Sequence, residues 1–135
     1  MAHRLPVRIY YEDTDAGGVV YYANYLRYME RGRSEWLAAH GFDQRPLWEE
    51  RDVGFIVRRV ELAYRRPARL DDHLEVRTSV ERITRAGIAL EQDVVFADDG
   101  TVAVTGRVEL ACIDTGTLKP RGIPDDIRQV LQASQ

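Results

Sequence analysis

Three long segments of mixed apolar and polar residues, at 73–83, 87–97 and 101–113, follow one another with only "TRAG" and "DDGT" between them. Parallel strands need a crossover of about a dozen residues or more, so links this short force antiparallel neighbours. The Asp-Gly pair in the second link adds a preference for a tight hairpin turn. An earlier strand lies in "FIVRRVELAYRRPARL", where Val60, Leu62 and Tyr64 alternate with Arg59, Glu61 and Arg65. That pattern predicts one buried and one wet face. Residues 4–11, "RLPVRIYY", are rich in β-branched and aromatic side chains and supply a first strand.

Between the first strand and the rest the period changes. From Tyr22 to His40 the apolar or small positions Tyr22, Tyr25, Leu26, Met29, Gly32, Trp36 and Leu37 recur at helical spacing, with Asn24, Arg27, Arg31, Ser34 and Glu35 on the other side. The spacing predicts a five-turn amphipathic helix ended by Gly41. Gly32 inside it costs about 1 kcal/mol relative to alanine, which points to a neighbour too close for a Cβ. A short second helix is expected over 43–51, started by Pro46, and another after Pro124 with Ile127, Val130 and Leu131 on one side. The expected order is strand, loop, long helix, then four strands in meander. One antiparallel five-stranded sheet wrapped around one helix buries both apolar faces, giving an α+β class.

At 135 residues the chain has room for one domain, 1–135, and no second. A formal charge of -3 with 44% hydrophobic and 30% charged residues fits a soluble globular protein and gives no electrostatic footprint for nucleic acid. The N-terminus lacks the apolar core of a secretory signal, and no apolar run approaches the roughly 20 residues that span a bilayer. A cytoplasmic protein without a membrane span is therefore expected. Cys112, the only cysteine, lies in an alternating apolar segment and is expected to be a buried, inert thiol.

Candidate chemistry concentrates in "YYEDTDAGGVVYYANY", residues 10–25. Ser34, Ser79 and Ser134 have no nucleophile-elbow context, and His40 and His73 show no sign of pairing, which argues against a serine triad. No metal site is expected from three scattered histidines and one cysteine. Asp13, Asp15 and Gly18 match positions 1, 3 and 6 of a calcium loop, but Asn24 then stands where the bidentate acid is needed. The "DTD" after a strand is shared with haloacid-dehalogenase-type phosphohydrolases, whose parallel sheet these short links disfavour. Two readings of the loop remain. Asp13 or Asp15 caps the helix and the glycines make the turn, the simpler reading from spacing alone. Alternatively the acid, the glycines and the apolar Val19, Val20, Tyr21 and Tyr22 build a dry slot at the helix start, where backbone N–H groups polarise a carbonyl.

The segment "YEDTDAGGVVYYANYLRYMERGRSEWL" closely resembles the hot-dog-fold acyl-CoA thioesterases of the 4-hydroxybenzoyl-CoA thioesterase family, in particular the branch associated with the Tol-Pal envelope system. The resemblance continues through "GFIVRRVELAYRRPARLDD" and the later strands. It implies a hot-dog fold whose subunits join edge to edge as homodimers, often as dimer-of-dimers tetramers, with active sites at the interface. It also implies hydrolysis of an acyl-CoA to free acid and coenzyme A, with coenzyme A as part of the substrate and no cofactor. Residue by residue, the catalytic aspartate of the family matches Asp15, acting as nucleophile or as general base. The position whose backbone N–H grips the thioester oxygen matches Tyr22. Gly17, Gly18 and Val19 would admit the thioester, and Arg85 matches a basic position that meets coenzyme A phosphates. Many relatives in the Tol-Pal branch carry Tyr-His where this chain has Tyr21-Tyr22. The alternatives are a non-catalytic hot-dog module that binds acyl-CoA or acts as a scaffold, and a hot-dog dehydratase. The dehydratase would need a histidine near the helix start, and none lies between His3 and His40.

Overall fold

The short links do force antiparallel pairing. In the computed structural model, which describes residues 2–135, the chain runs β1 (His3–Arg8), α1 (Asn24–Ala39), α2 (Gln44–Arg51), β2 (Val53–Tyr64), β3 (His73–Ile83), β4 (Gly87–Phe96), β5 (Val102–Asp114) and α3 (Asp125–Ala133). All five strands form one sheet in the order β1-β3-β4-β5-β2, every pair antiparallel. An all-antiparallel sheet overturns the phosphohydrolase alternative.

The expected four-strand meander is corrected to three. β3, β4 and β5 follow one another across the sheet, but β2 pairs with β5 on the far side and forms one edge. The physical reason lies in the connection of residues 65–72, which contains Pro67 and is long enough to cross the sheet, unlike the tight turns that follow. β1 is also shorter than expected: after Arg8 the chain turns, and Tyr11–Asp13 forms one turn of 3-10 helix.

α1 lies across the sheet and buries Tyr25, Tyr28, Met29, Gly32, Trp36 and Leu37. Two members of the expected stripe are corrected. Tyr22 precedes the helix and is exposed, and Leu26 is exposed, while Tyr28 takes a buried place instead. Gly32 marks the closest approach. A Cβ there would sit 2.8 Å from Val76 Cγ1 and 3.2 Å from Gln92 Nε2. The core continues on both sides of this contact, with Val76 and Val94 toward the N-terminal end of α1 and Leu90, Val108 and Cys112 toward its other end. α3 closes that second half through Ile127 and Leu131. Each fully buried aliphatic side chain contributes about 1.5–3 kcal/mol. Cys112 is fully buried, as expected, and burial pushes its thiol up.

β2 departs from its expected burial. Leu62 packs against the core, but Val60 and Tyr64 on the same face are exposed, as are Ile56 and Val57. The reason is position: β2 has a neighbour on one side only, so half of its apolar surface has nothing to meet within one chain.

Candidate active site

The loop between β1 and α1 is fixed by backbone hydrogen bonds together with side-chain bonds from Asp13, Thr14, Asp15 and Asn24. Its first turn closes with Asp13 N–H donating to Tyr10 O (3.0 Å) and Tyr10 N–H donating to Asp13 Oδ2 (2.8 Å). Residues 14–20 then form a miniature hairpin in which Thr14 bridges Val20 and Asp15 N–H donates to Val19 O (2.9 Å). Gly18 N–H donates back to Asp15 O (3.0 Å), and Gly18 takes a φ of 79°, a conformation that glycine adopts without steric cost. The hairpin is stitched to the segment after β2 by Val20 N–H to Ala68 O (2.8 Å) and by a Val19–Arg69 bridge.

This arrangement corrects the capping reading. The N-cap of α1 is Ala23, with no side chain bonded to the helix N–H groups. The Asp13 carboxylate is engaged by Tyr10, and Asp15 Oδ1 accepts Gly17 N–H at 2.8 Å. A Cβ on Gly17 would sit 3.2 Å from that oxygen, so glycine keeps the space beside the carboxylate open. Asp15 itself is exposed. At the helix start, Tyr21 N–H donates to Asp13 O and Asn24 N–H to Tyr21 O, both at 2.9 Å. Among the described residues nothing accepts the Tyr22 N–H, whereas the Tyr22 carbonyl accepts the Tyr64 hydroxyl at 3.3 Å.

Asp15, Val19 and Tyr22 line one cleft of about 270 Å³, together with Tyr25, Tyr64, Arg65 and Pro67. The tyrosines make its apolar wall: Tyr64 meets Tyr22 edge-on with centroids 6.2 Å apart and meets Tyr25 at 5.8 Å. Burial pushes the Tyr25 and Tyr64 hydroxyls up, so both are neutral phenols at ordinary pH, and the Tyr25 hydroxyl oxygen accepts the Ala68 N–H at 3.3 Å. The loop thus brings Asp15 and Tyr22 to the lining of one cleft, and Tyr22 carries a backbone N–H with no partner among the described residues.

The other expected site residues divide. Gly17 and Gly18 form the turn beside Asp15. Arg85 is exposed in the β3–β4 turn, where its carbonyl accepts from Ile123 N–H (2.9 Å) and Arg128 (2.8 Å), and it does not line the cleft within one chain. Among the other arginines, Arg82 pairs loosely with Glu109 (3.9 Å), and Arg66, which with Arg65 lines the cleft, lies over the Phe96 ring and near Asp99. Sequence reasoning missed Tyr25, Tyr64 and Pro67 as cleft residues. Pro67, which ends the alternation of β2, was the available signal that the chain turns there. A larger hollow of about 440 Å³ on the outer sheet face, lined by Arg58, Arg59 and Arg82 beside Glu109, contains none of the loop residues. Among the described residues no three potential metal ligands cluster, and no helix is long and apolar enough to cross a membrane.

Residues 10–131 match the model of the thioesterase-like superfamily. The chain belongs to that family. It is 44% identical to acyl-CoA thioester hydrolase YbgC of Escherichia coli O6:H1, over 92% of this chain and 91% of that one. To acyl-CoA thioesterase YbgC of Haemophilus influenzae it is 42% identical, over 91% of this chain and 89% of the other. A probable thioesterase from Bartonella henselae superposes with a TM-score of 0.86 at 37% identity, covering 92% of this chain and all of its own. The sheet wrapped around α1 is therefore the hot-dog fold of thioesterases, as the resemblance in the loop implied.

Proposed function

We propose that the protein hydrolyses acyl-CoA thioesters, with Asp15 and the Tyr22 N–H as its catalytic groups. The observation that supports this reading is that Asp15 and Tyr22, whose N–H has no partner among the described residues, both line one cleft walled by tyrosines. In this reading the thioester carbonyl oxygen sits on the Tyr22 N–H and its carbon is presented to Asp15. The N–H stabilises the oxyanion formed on attack, a contribution of several kcal/mol in a site that excludes water. Asp15 either attacks the carbon directly, forming an acyl anhydride that water then hydrolyses to the free acid and the Asp15 carboxylate, or takes a proton from the water that attacks; in both routes the coenzyme A thiolate leaves when the carbonyl re-forms. Gly17, Gly18 and Val19 leave the approach to the backbone clear. No metal or organic cofactor enters this chemistry. Arg85 belongs to the reading as an exposed cation for coenzyme A phosphate, supported by its charge and its place in a turn.

We also infer that two copies pair along β2. The support is the exposed edge with Ile56, Val57 and Val60 on it, because a long apolar edge strand left open is a liability. Since Tyr64 of β2 walls the cleft, such pairing would bring a second chain beside Asp15.

Turnover on a panel of short aliphatic, long aliphatic and aromatic acyl-CoAs, read by thiol release, tests the proposal. Hydrolysis of at least one class is expected, falling by about 100-fold or more in a folded Asp15→Asn protein. Tight binding without thiol release across the whole panel would instead identify a non-catalytic acyl-CoA module.

A further inference from the structure

Asn24 is the first residue of α1, yet its side chain does nothing for that helix. Its carboxamide reaches back eleven residues and donates Nδ2–H to the Asp13 carbonyl oxygen at 2.9 Å. The same oxygen accepts Tyr21 N–H at 2.9 Å. Asp13 O is therefore the point where the strand carrying the carboxylate meets the turn carrying the unengaged N–H: Asp15 lies two residues after it, and Tyr22 lies between its two donors in sequence. The carboxamide is half-buried, so the bond is sheltered from competing water. One turn further along α1, the Tyr28 hydroxyl is buried with no hydrogen-bond partner among the described residues. Among the described residues no other side-chain bond in the loop spans from the Asp15 strand to α1.

We propose that Asn24 is a positioning residue, its carboxamide holding the Asp13 carbonyl so that the Asp15 carboxylate and the Tyr22 N–H address the same carbonyl group. This inference rests on the thioesterase reading for its catalytic consequence, but its structural half stands apart from it. Loss of the bond leaves Tyr21 N–H as the only tie at that oxygen. The hairpin of residues 14–20 can then shift relative to the helix start, and a displacement of about 1 Å between reacting groups can cost on the order of 100-fold in rate.

The test uses Asn24→Asp, which keeps the shape and removes the donor, and Asn24→Ala, which suits a helix start and removes the side chain. Amide hydrogen exchange resolved by residue reads the loop without reference to activity. Exchange at Tyr21 and Asp15 should rise by about tenfold or more in both variants while the amides of β3 and β4 stay unchanged. On the best acyl-CoA of the panel, kcat should fall by about 100-fold with KM within about threefold, the signature of an interaction felt in the transition state. Unchanged exchange at Tyr21 and Asp15 would overturn the proposal, as would a loss of activity that only tracks a lowered melting temperature. If the wild-type protein hydrolyses nothing on the panel but the exchange responds as stated, the thioesterase reading falls and the role of Asn24 in holding the loop stands.

Discussion

Gln92 Nε2 donates to the Met29 carbonyl at 2.9 Å, a side chain of the central strand bonding to the middle of the central helix. The same nitrogen donates to Thr78 Oγ1 at 2.9 Å, and Gln92 Oε1 accepts Arg33 Nη1 at 2.9 Å, so both ends of this fully buried amide have named partners. This clamp sits beside Gly32, where the missing Cβ lets helix and sheet approach. Gln92→Leu keeps the volume but strands Thr78 and the Arg33 guanidinium. It should lower the unfolding free energy by about 2–3 kcal/mol, read from denaturant midpoints. An unchanged midpoint would mean that the clamp adds nothing net.

Gly32→Ala probes the approach itself. The new methyl would meet Val76 Cγ1 at 2.8 Å, and valine has no flexible end with which to yield. The helix-propensity gain of alanine, about 1 kcal/mol, is therefore opposed by overpacking that costs about 1–3 kcal/mol. Net destabilisation in a thermal melt is the expected outcome; a raised melting temperature would show that α1 can lift off the sheet at little cost.

Much of this architecture can be read from the sequence, and the parts that cannot share a physical cause. Antiparallel order in β3–β5 follows from links too short to do anything else, and Gly32 announces its close neighbour by being a poor helix residue. The partition of Tyr22, Leu26 and Tyr28 does not follow, because periodicity places residues on a face without saying where the covering sheet ends. Val60 and Tyr64 alternate like a buried face, but β2 becomes an edge only once the chain crosses the sheet; Pro67 marks that the chain turns, and nothing local says where it goes next. At the site, the loop residues are contiguous and legible. Tyr64 and Pro67 come to the cleft from more than 40 positions away, and nothing near them in sequence names Asp15 as their neighbour.

The buried Tyr28 hydroxyl gives a prediction of opposite sign to most core changes. Its ionisation is opposed first by burial and next by the Asp13 carboxylate, so it remains a neutral phenol, and it has no hydrogen-bond partner of proper geometry. Tyr28→Phe removes an unsatisfied polar group while keeping the ring that meets Tyr25 edge-on. Stability should be unchanged or higher by about 1 kcal/mol. A loss of that size would show that Asp13 and Tyr28 bond in solution.

Arg51 and Asp126 fasten α2 to α3 through two bonds of 2.9 and 3.0 Å, and the guanidinium holds the Asp126 carboxyl below the usual range. A depressed acid stabilises the fold above its unfolded pKa, and that contribution is lost as pH falls through the lower folded value. Both side chains are about half exposed, so solvent screening limits the pair to about 0.5 kcal/mol. Asp126→Asn should lower the melting temperature slightly at pH 7, and the difference from wild type should shrink as pH falls below 3.8 and vanish once it passes below the depressed folded pKa. A difference that persists in acid would assign the effect to the helix start rather than to the ion pair.

The open edge of β2 carries the last prediction. Val57 is 48% exposed on that strand, and the β-bulge between Val57 and Arg59 lies beside it. If two copies pair there, a lysine at this position would force an ammonium into a strand–strand contact, where burial without a partner costs several kcal/mol. Val57→Lys should therefore sediment as a monomer at concentrations where the wild type sediments as a dimer, while keeping the far-ultraviolet spectrum of the folded sheet. Activity should fall with dissociation, because Tyr64 of β2 walls the Asp15 cleft and the partner would help to cover it. A Val57→Lys dimer of wild-type affinity would exclude β2 as the contact and move the search to the outer face, where Arg82, Arg107, Glu81 and Glu109 form a charged lattice.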